Sequence, residues 1–238
     1  MNIALIGYGK MGKAIEGIAL QKGHHIVLKI DVDNYYDFTS ENLRKANVAI
    51  EFTTPDTAIA NIRKCFEADI PIVVGTTGWL NELDDIKKEC EDKKGTLITA
   101  TNFSIGVNLF FAINDYVSKL MSPYDTYDIS LEETHHTQKK DAPSGTAITL
   151  AEQLLKNIPS KNKWVNEASN DDKHLAIISK RVDPAPGTHS VKYSSSIDDI
   201  EIIHTAHNRE GFALGAVLAA EFIAGKKGIY SMKDVLGI

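Results

Sequence analysis

Between Glu132 and Ile148 the sequence reads EETHHTQKKDAPSGTAI, crowding two imidazoles, two ammonium groups and a helix start into one short stretch. His135 and His136 titrate near neutral pH and can carry a proton. Lys139 and Lys140 supply positive charge. Ser144 stands where it would cap a helix with Ala147, Ile148, Ala151, Leu154 and Leu155 on its apolar face, putting the N–H groups of Gly145 and Thr146 in the first turn. Such a helix start binds anions, and Gly145 has no side chain to obstruct a carboxylate. Pro143 suits a sharp entry. The combination fits a small, multiply anionic molecule that must also receive a proton. Neighbouring histidines on an extended chain face opposite ways, so they make a poor metal pair and no metal is expected. A lysine pair in a polar loop is also ordinary solvated surface, so the segment gains weight only if the fold brings a second reactant.

A second reactant is suggested at the N-terminus. Gly7-Tyr8-Gly9-Lys10-Met11-Gly12 is G-x-G-x-x-G, directly after the strand-like run NIALI and at the start of a helical pattern. In that context the first glycine makes the tight turn, the second admits a pyrophosphate and the third lets helix and strand pack closely. Asp31 closes the next strand, about where a carboxylate accepts hydrogen bonds from a ribose 2′-OH. Two further loops follow strands on the same presumed sheet edge, Gly75-Thr76-Thr77-Gly78 and Ala100-Thr101-Asn102-Phe103.

The elements that must position these groups follow from periodicity. NIALI, HHIVLKID, NVAIEF, PIVV and TLITA read as strands, separated by helical patterns at Lys10–Lys22, about Pro55–Ala68 and about Leu80–Asp92. This alternation predicts a doubly wound, Rossmann-type parallel sheet. Beyond Phe103 the rhythm changes. A long apolar helix over about Gly106–Met121 precedes DTYDISLEE, and then LAIISKRV, THSVKYSSS and DIEIIHTAH succeed one another as strands. They predict a second α+β domain on an open mixed or antiparallel sheet. The run PSKNKWVNEASNDDKH reads as a polar loop, Glu210–Ala224 as a helix, and YSMKDVLGI as a tail able to return to the first domain.

Composition narrows the partners. The chain of 238 residues is 43% hydrophobic and 24% charged with a formal charge of -6, giving no general attraction to nucleic acid or anionic membrane. Ala213–Gly225, the longest strongly apolar tract, is broken by Glu221 and is too short to span a bilayer. MNIALIGYGKMG runs straight from the initiator into strand and glycine turn, so the cytoplasm is the expected location. Cys65 and Cys90 lie in helical patterns with no histidine nearby in sequence and read as structural residues. The residues themselves favour a two-domain reductase. A semialdehyde dehydrogenase fits less well for want of a cysteine near a histidine, and a nucleotide-sensing protein without turnover would need no histidine and lysine cluster.

GYGKMG, GTTG, ATNFSIGVN, EETHHTQKKDAPSGTA, FALGAV and DVL together resemble the dihydrodipicolinate reductase family, from the first strand to the last helix. The resemblance implies reduction of 4-hydroxy-tetrahydrodipicolinate (dihydrodipicolinate) to tetrahydrodipicolinate by NADH or NADPH, on the diaminopimelate route to lysine, by a homotetramer built through its central domain. It implies that His135 gives or takes the proton, that Lys139 is the second catalytic residue, and that His136, Gly145 and Thr146 touch substrate. Gly7, Tyr8, Gly9, Lys10, Met11, Gly12, Asp31, Gly75, Thr76, Thr77, Ala100, Thr101, Asn102 and Phe103 become cofactor contacts. Residues 1–103 with 208–238 would bind the dinucleotide, and 104–207 would bind substrate and form the oligomer. Thr137-Gln138 stands where the family often has arginine followed by histidine or lysine. Gly187-Thr188-His189 replaces a glycine-glutamate-histidine hinge, after an unusual Asp183-Pro184-Ala185-Pro186. Val32 after Asp31 leaves no arginine there for a 2′-phosphate.

Overall fold

Strand β1 (Asn2–Ile6) divides its side chains between two cores, Ile3 and Leu5 to one face and Ala4 and Ile6 to the other. A strand buried on both faces reads as an unbroken apolar run, which is why NIALI, VAIE, IVV and TLIT carry so little polarity. The computed structural model describes residues 1–208 and 210–238. From β1 the chain continues through α1 (Lys10–Gln21), β2 (His25–Ile30), α2 (Ser40–Leu43), β3 (Val48–Glu51), α3 (Pro55–Ala68), β4 (Ile72–Val74), α4 (Leu83–Asp92) and β5 (Thr96–Thr99). Next come α5 (Ile105–Met121), β6 (Asp128–His135), α6 (Gly145–Asn157), β7 (Lys163–Val165), β8 (His174–Arg181), β9 (Gly187–Ser194) and β10 (Asp199–Ala206). The chain closes with α7 (Glu210–Ile223), β11 (Gly228–Tyr230) and α8 (Met232–Leu236). It divides into two units, Met1–Ile105 with Glu210–Ile238, and Gly106–Arg209.

The first unit is built on six parallel strands in the order β11-β5-β4-β3-β1-β2. Helices α3 and α4 cover one face through Ala58, Ile62, Cys65, Phe66, Ile86 and Cys90. Helices α1 and α7 cover the other through Ile15, Ala19, Ala213, Ala216, Val217 and Ala220. The small residues of α7 permit close approach. A Cβ at Gly215 would fall 1.7 Å from the Phe103 carbonyl oxygen. Burial pushes the Cys90 thiol up to about 11 and the Cys65 thiol higher still, so neither is a ready nucleophile.

The second unit carries the sheet β10-β9-β6-β8-β7, parallel between β6, β8 and β7 and antiparallel between β6, β9 and β10. Helices α5 and α6 cover one face, where Val107, Phe110, Leu150 and Leu154 meet Leu131, Ile177, Val191 and Tyr193. The doubly wound parallel sheet and the mixed second sheet predicted from the order of elements are both present. Three features depart from the periodicity reading. Strand β7 lies inside the expected polar loop, because Trp164 pairs with Leu175 across only three residues, too few to show a period. Val32–Asp37 and α2 form short helical turns between β2 and β3, held by the side-chain caps of Asp31 and Thr39. The chain adds β11 beside β5, a strand the reading did not place, whereas the tail after it returns to the first unit as expected, burying Met232 among the residues of α1 and α7.

Candidate active site

One candidate site, in the first unit, follows the carboxyl end of β1. Gly7 has φ +91°, and a Cβ there would lie 2.0 Å from the Phe52 carbonyl oxygen; one at Gly12 would lie 2.3 Å from the Gly7 carbonyl oxygen. At Gly9 a Cβ would meet nothing within 4 Å. The first and third glycines are therefore demanded by the fold itself. The second leaves space open at the start of α1, where unpaired helix N–H groups favour an anion. A cavity of about 500 Å³ opens here, lined among others by Gly7, Tyr8, Gly9, Asp31, Thr53 and Asn61. These residues fit the pyrophosphate and ribose of a dinucleotide.

Asp31 lines that cavity and also caps the following turn, its Oδ1 accepting from Val32 N at 2.9 Å while Asp31 N donates to Asn34 Oδ1 at 2.7 Å. Lys29 is held by Glu16, with Nζ 2.6 Å from the carboxylate, and lies over the Tyr8 ring, which itself donates to Glu16. Thr76 is buried at the GTTG turn, accepting from Thr53 N at 2.7 Å and donating to Glu51 at 3.0 Å. A Cβ at Gly75 would collide with the Phe52 ring at 2.1 Å. Phe103 is packed in the core beneath α7, so what it can offer a ligand is backbone. Lys10, Thr77 and Thr101 are exposed, Met11 and Ala100 are half-buried against the same core, and Asn102 accepts from Ser104 N at 2.8 Å. The FTTP turn after β3, with Phe52, Thr53, Thr54, Thr57 and Asn61, also lines the cavity and escaped the sequence reading. Its position on the same sheet edge was the available signal.

Another candidate site, in the second unit, sits at one end of its sheet. Alternation along β6 sends Ile129, Leu131, Glu133 and His135 inward, and cross-strand register lines up Ser179, Glu133, His189 and His204 in one row. An apolar sheet face therefore ends in polar groups. Glu133 is fully buried and accepts from Ser144 N at 3.2 and 3.1 Å and from Ser179 Oγ at 2.7 Å. His135 Nδ1 lies 3.5 Å, His189 Nε2 3.7 Å and Arg181 Nη2 3.5 Å from its oxygens. Burial alone would raise the Glu133 carboxyl, but hydrogen bonds from His189, Ser144 and Ser179 hold it below the usual range. Burial, reinforced by His189, Lys139 and Arg181, lowers His135 to about 4 against the opposing pull of Glu133, so its imidazole is neutral at neutral pH.

Ser144 caps α6 as the sequence predicts, its Oγ accepting from Ala147 N at 3.2 Å and lying 3.1 Å from His189 Nε2. Gly145 heads the helix, and a Cβ there would meet nothing within 4 Å. Thr146 follows, half-buried in the same turn. Lys139 Nζ is bonded at 2.8 Å to both oxygens of Asp141, and Arg181 pins the same loop by donating from Nη2 to the Asp141 carbonyl at 2.7 Å. His136 lies just beyond β6, its carbonyl accepting from Lys139 N at 3.1 Å, and its ring is felt by Asp183. The imidazoles of His135 and His136 therefore belong to different surroundings, as alternation requires. Two unusual positions prove to be one contact. Thr137 donates from N at 3.0 Å and from Oγ1 at 2.7 Å to Asp183.

Glu133, His189, Ser179 and Arg181 were missed by the sequence reading, although Glu133 stands two residues before His135 on an inward-facing position. Donor atoms of Glu133, His135 and His189 lie within 4.8 Å of one another, close enough to bind a cation. Ser144 N, Ser179 Oγ and Arg181 already point at that carboxylate and would have to give way. A hydrogen-bonded network accounts for the cluster better.

Comparison with known proteins bears on both units. Residues 1–103 match the family model for the dihydrodipicolinate reductase N-terminus and residues 106–236 that for its C-terminus. The chain is 47% identical over 237 residues to 4-hydroxy-tetrahydrodipicolinate reductase of Christiangramia forsetii, covering 99% of this chain and 98% of that protein. It is 33% identical to the protein of the same name from Neisseria gonorrhoeae, over 94% of this chain and 84% of that protein. In fold it resembles a dipicolinate-bound dihydrodipicolinate reductase from Paenisporosarcina sp. TG-14, with TM-score 0.77, 24% identity and 97% of each chain covered. A glycine turn open at Gly9, a histidine and capped-helix cluster at the second sheet, and matches spanning nearly the whole length lead to one statement: the chain belongs to the dihydrodipicolinate reductase family, NAD(P)H-dependent oxidoreductases of lysine biosynthesis.

Proposed function

We propose that the protein reduces 4-hydroxy-tetrahydrodipicolinate with the second unit holding the cyclic dicarboxylate and the first holding NADH or NADPH. One observation carries the reading of the site: a titratable imidazole, His135, and the start of α6 are built around the same buried carboxyl, Glu133. A proton carrier and an anion site are thereby held at fixed separation, as a dianionic substrate that gains a proton requires. The nicotinamide, when bound, supplies the hydride. Gly7, Gly9 and Gly12 would seat the pyrophosphate, with Tyr8, Lys10 and Met11 in the same turn, Asp31 the ribose, and Gly75 to Thr77 and Ala100 to Phe103 the nicotinamide end. Gly145 and Thr146 receive one substrate carboxylate, Lys139 offsets charge on the ring or the other carboxylate, His136 adds a contact, and His135 delivers the proton. The test is to mix the protein with the freshly made condensation product of aspartate semialdehyde and pyruvate and follow oxidation of each cofactor. Failure to oxidise either one overturns the reading.

A preference for NADH, or tolerance of both cofactors, is expected. A carboxylate at Asp31 favours a ribose diol and repels a 2′-phosphate, and the adjacent cation, Lys29, is already held by Glu16. Asp31→Ala should shift the ratio of kcat/KM values toward NADPH by at least about fivefold, since like charges some 4 Å apart cost about 1 kcal/mol even in water-like surroundings. The ratio is the informative quantity, because losing the cap on Val32–Asp37 weakens both cofactors. An unchanged ratio removes Asp31 from this role.

The assembly we propose is a homotetramer formed through the face of the second sheet opposite α5 and α6. Support comes from a cross-strand row on that face, Ile178, Glu132, Ser190 and Ile203, in which Ile203 is 57% exposed. Ile203→Asp should then sediment as a smaller species than the parent protein; identical sedimentation would place the interface elsewhere. The biosynthetic role suits a cytoplasmic enzyme, and among the described residues no helix is long and apolar enough to cross a membrane.

A further inference from the structure

Glu133 is a costly way to satisfy two serines. A buried carboxylate gives up more hydration than a neutral acceptor would. Ser144 N and Ser179 Oγ need only an acceptor. The negative charge serves other neighbours: Arg181 Nη2 lies 3.5 Å from Oε1, and Oε2 faces His135 Nδ1 at 3.5 Å, a buried nitrogen that has no hydrogen-bond partner among the described residues and for which this carboxylate is the acceptor at hand. On the other side of the ring, Nε2 faces Gly187, where a Cβ would intrude to 3.1 Å and where φ of +156° itself favours glycine. One nitrogen is thus turned to a fixed carboxylate and the other faces a position where a side chain would crowd it.

We propose that Glu133 is the positioning residue of the reaction: it fixes the His135 tautomer with the proton on Nδ1, reserving Nε2 for the proton that is transferred, and ties that ring to the α6 anion site through Ser144. The inference rests on the reading of His135 as the proton carrier. When Nε2 gives up its proton, the ring returns to the neutral Nδ1–H form without rearranging, because Glu133 accepts from Nδ1 in both states. The link to Ser144 is direct, since the same carboxylate accepts the Ser144 N–H, and His189 bridges to Ser144 Oγ at 3.1 Å. A shift of the helix start would therefore disturb the proton carrier.

The first measurement needs no variant. In protein carrying ¹⁵N-labelled histidine at neutral pH, with His135 assigned by loss of its signals in His135→Gln, Nδ1 should show the shift of a protonated ring nitrogen and Nε2 that of an unprotonated one. The opposite pattern overturns the proposal. In Glu133→Gln the pattern should become mixed or reverse, and kcat should fall by about 10²-fold or more with a much smaller change in KM, as when a histidine loses the carboxylate that orients it. Glu133→Asp, which keeps the charge, should recover part of kcat. A Glu133→Gln protein with unchanged kcat and tautomer, but a lower Tm, would show a purely structural residue. If His135→Gln itself leaves kcat intact, the reading of His135 as acid fails, whereas the tautomer measurement still decides the role of Glu133.

Discussion

Replacing His135 by glutamine should lower kcat by about 10²–10⁴-fold, the usual contribution of a general acid, while the Kd of a dipicolinate-type inhibitor changes by no more than about threefold. Glutamine occupies similar space, and Ser144 is held by Glu133 and His189 and not by His135, so the helix start should keep its shape. A loss confined to inhibitor binding would instead make His135 a substrate contact. The electrostatics add a pH signature. Without ligand, burial and neighbouring cations lower His135 to about 4, so it is neutral and cannot donate from an imidazolium at neutral pH. A bound dianion favours the protonated ring and must raise that value. The complex then takes up protons that the free protein does not, and affinity for the dicarboxylate rises as pH falls from neutrality toward about 4. His135→Gln should flatten that rise. The same burial makes the fold sensitive to acid: a histidine whose value is lowered on folding adds stability above its unfolded value and loses it as pH falls through about 4. The variant should therefore lose less Tm on acidification than the parent.

Local chemistry was legible in the sequence, and cross-strand chemistry was not. Ser144, Gly145 and the face of α6 follow one another along the chain, so capping rules located them. Gly7 and Gly12 are required by contacts with Phe52 and with each other's turn, which the G-x-G-x-x-G spacing encodes. Glu133 could have been flagged, because alternation along β6 places it inward with Ile129 and Leu131. Its partners could not. Ser179 and His189 meet it only through the register of β6 with β8 and β9, and that register depends on which strands pair, not on any local pattern. The pairing of Thr137 with Asp183 shows the same limit. Each looked like a separate departure from the family pattern, and the contact between them became visible only once the strand ends were placed. Short elements such as β7 and β11 were lost for another reason, since three residues carry no measurable period.

Lys139→Ala should weaken a dicarboxylate ring inhibitor by about 2–5 kcal/mol, the cost of truncating one member of a desolvated charge pair. The structure adds a reason for a loss near the upper end. Lys139 Nζ is held by both oxygens of Asp141, so removing it leaves that carboxylate without its cation in the same loop. If repulsion from Asp141 contributes, Asp141→Asn in the Lys139→Ala background should recover part of the affinity; no recovery assigns the whole loss to the missing cation. Gly145→Asp should do worse than Lys139→Ala, because the open space above Gly145 would receive both bulk and like charge where the substrate carboxylate belongs. NADH binding should survive each change, since the glycine turn lies in the other unit. A double-mutant cycle of Lys139→Ala with Thr146→Val, read on inhibitor binding, tests whether the two groups act on the ligand's charge together. Coupling of about 0.5 kcal/mol or more is the expected result. Strict additivity would mean that they address separate parts of the ligand, and undiminished inhibitor binding in Lys139→Ala would remove the loop before α6 from the substrate site altogether.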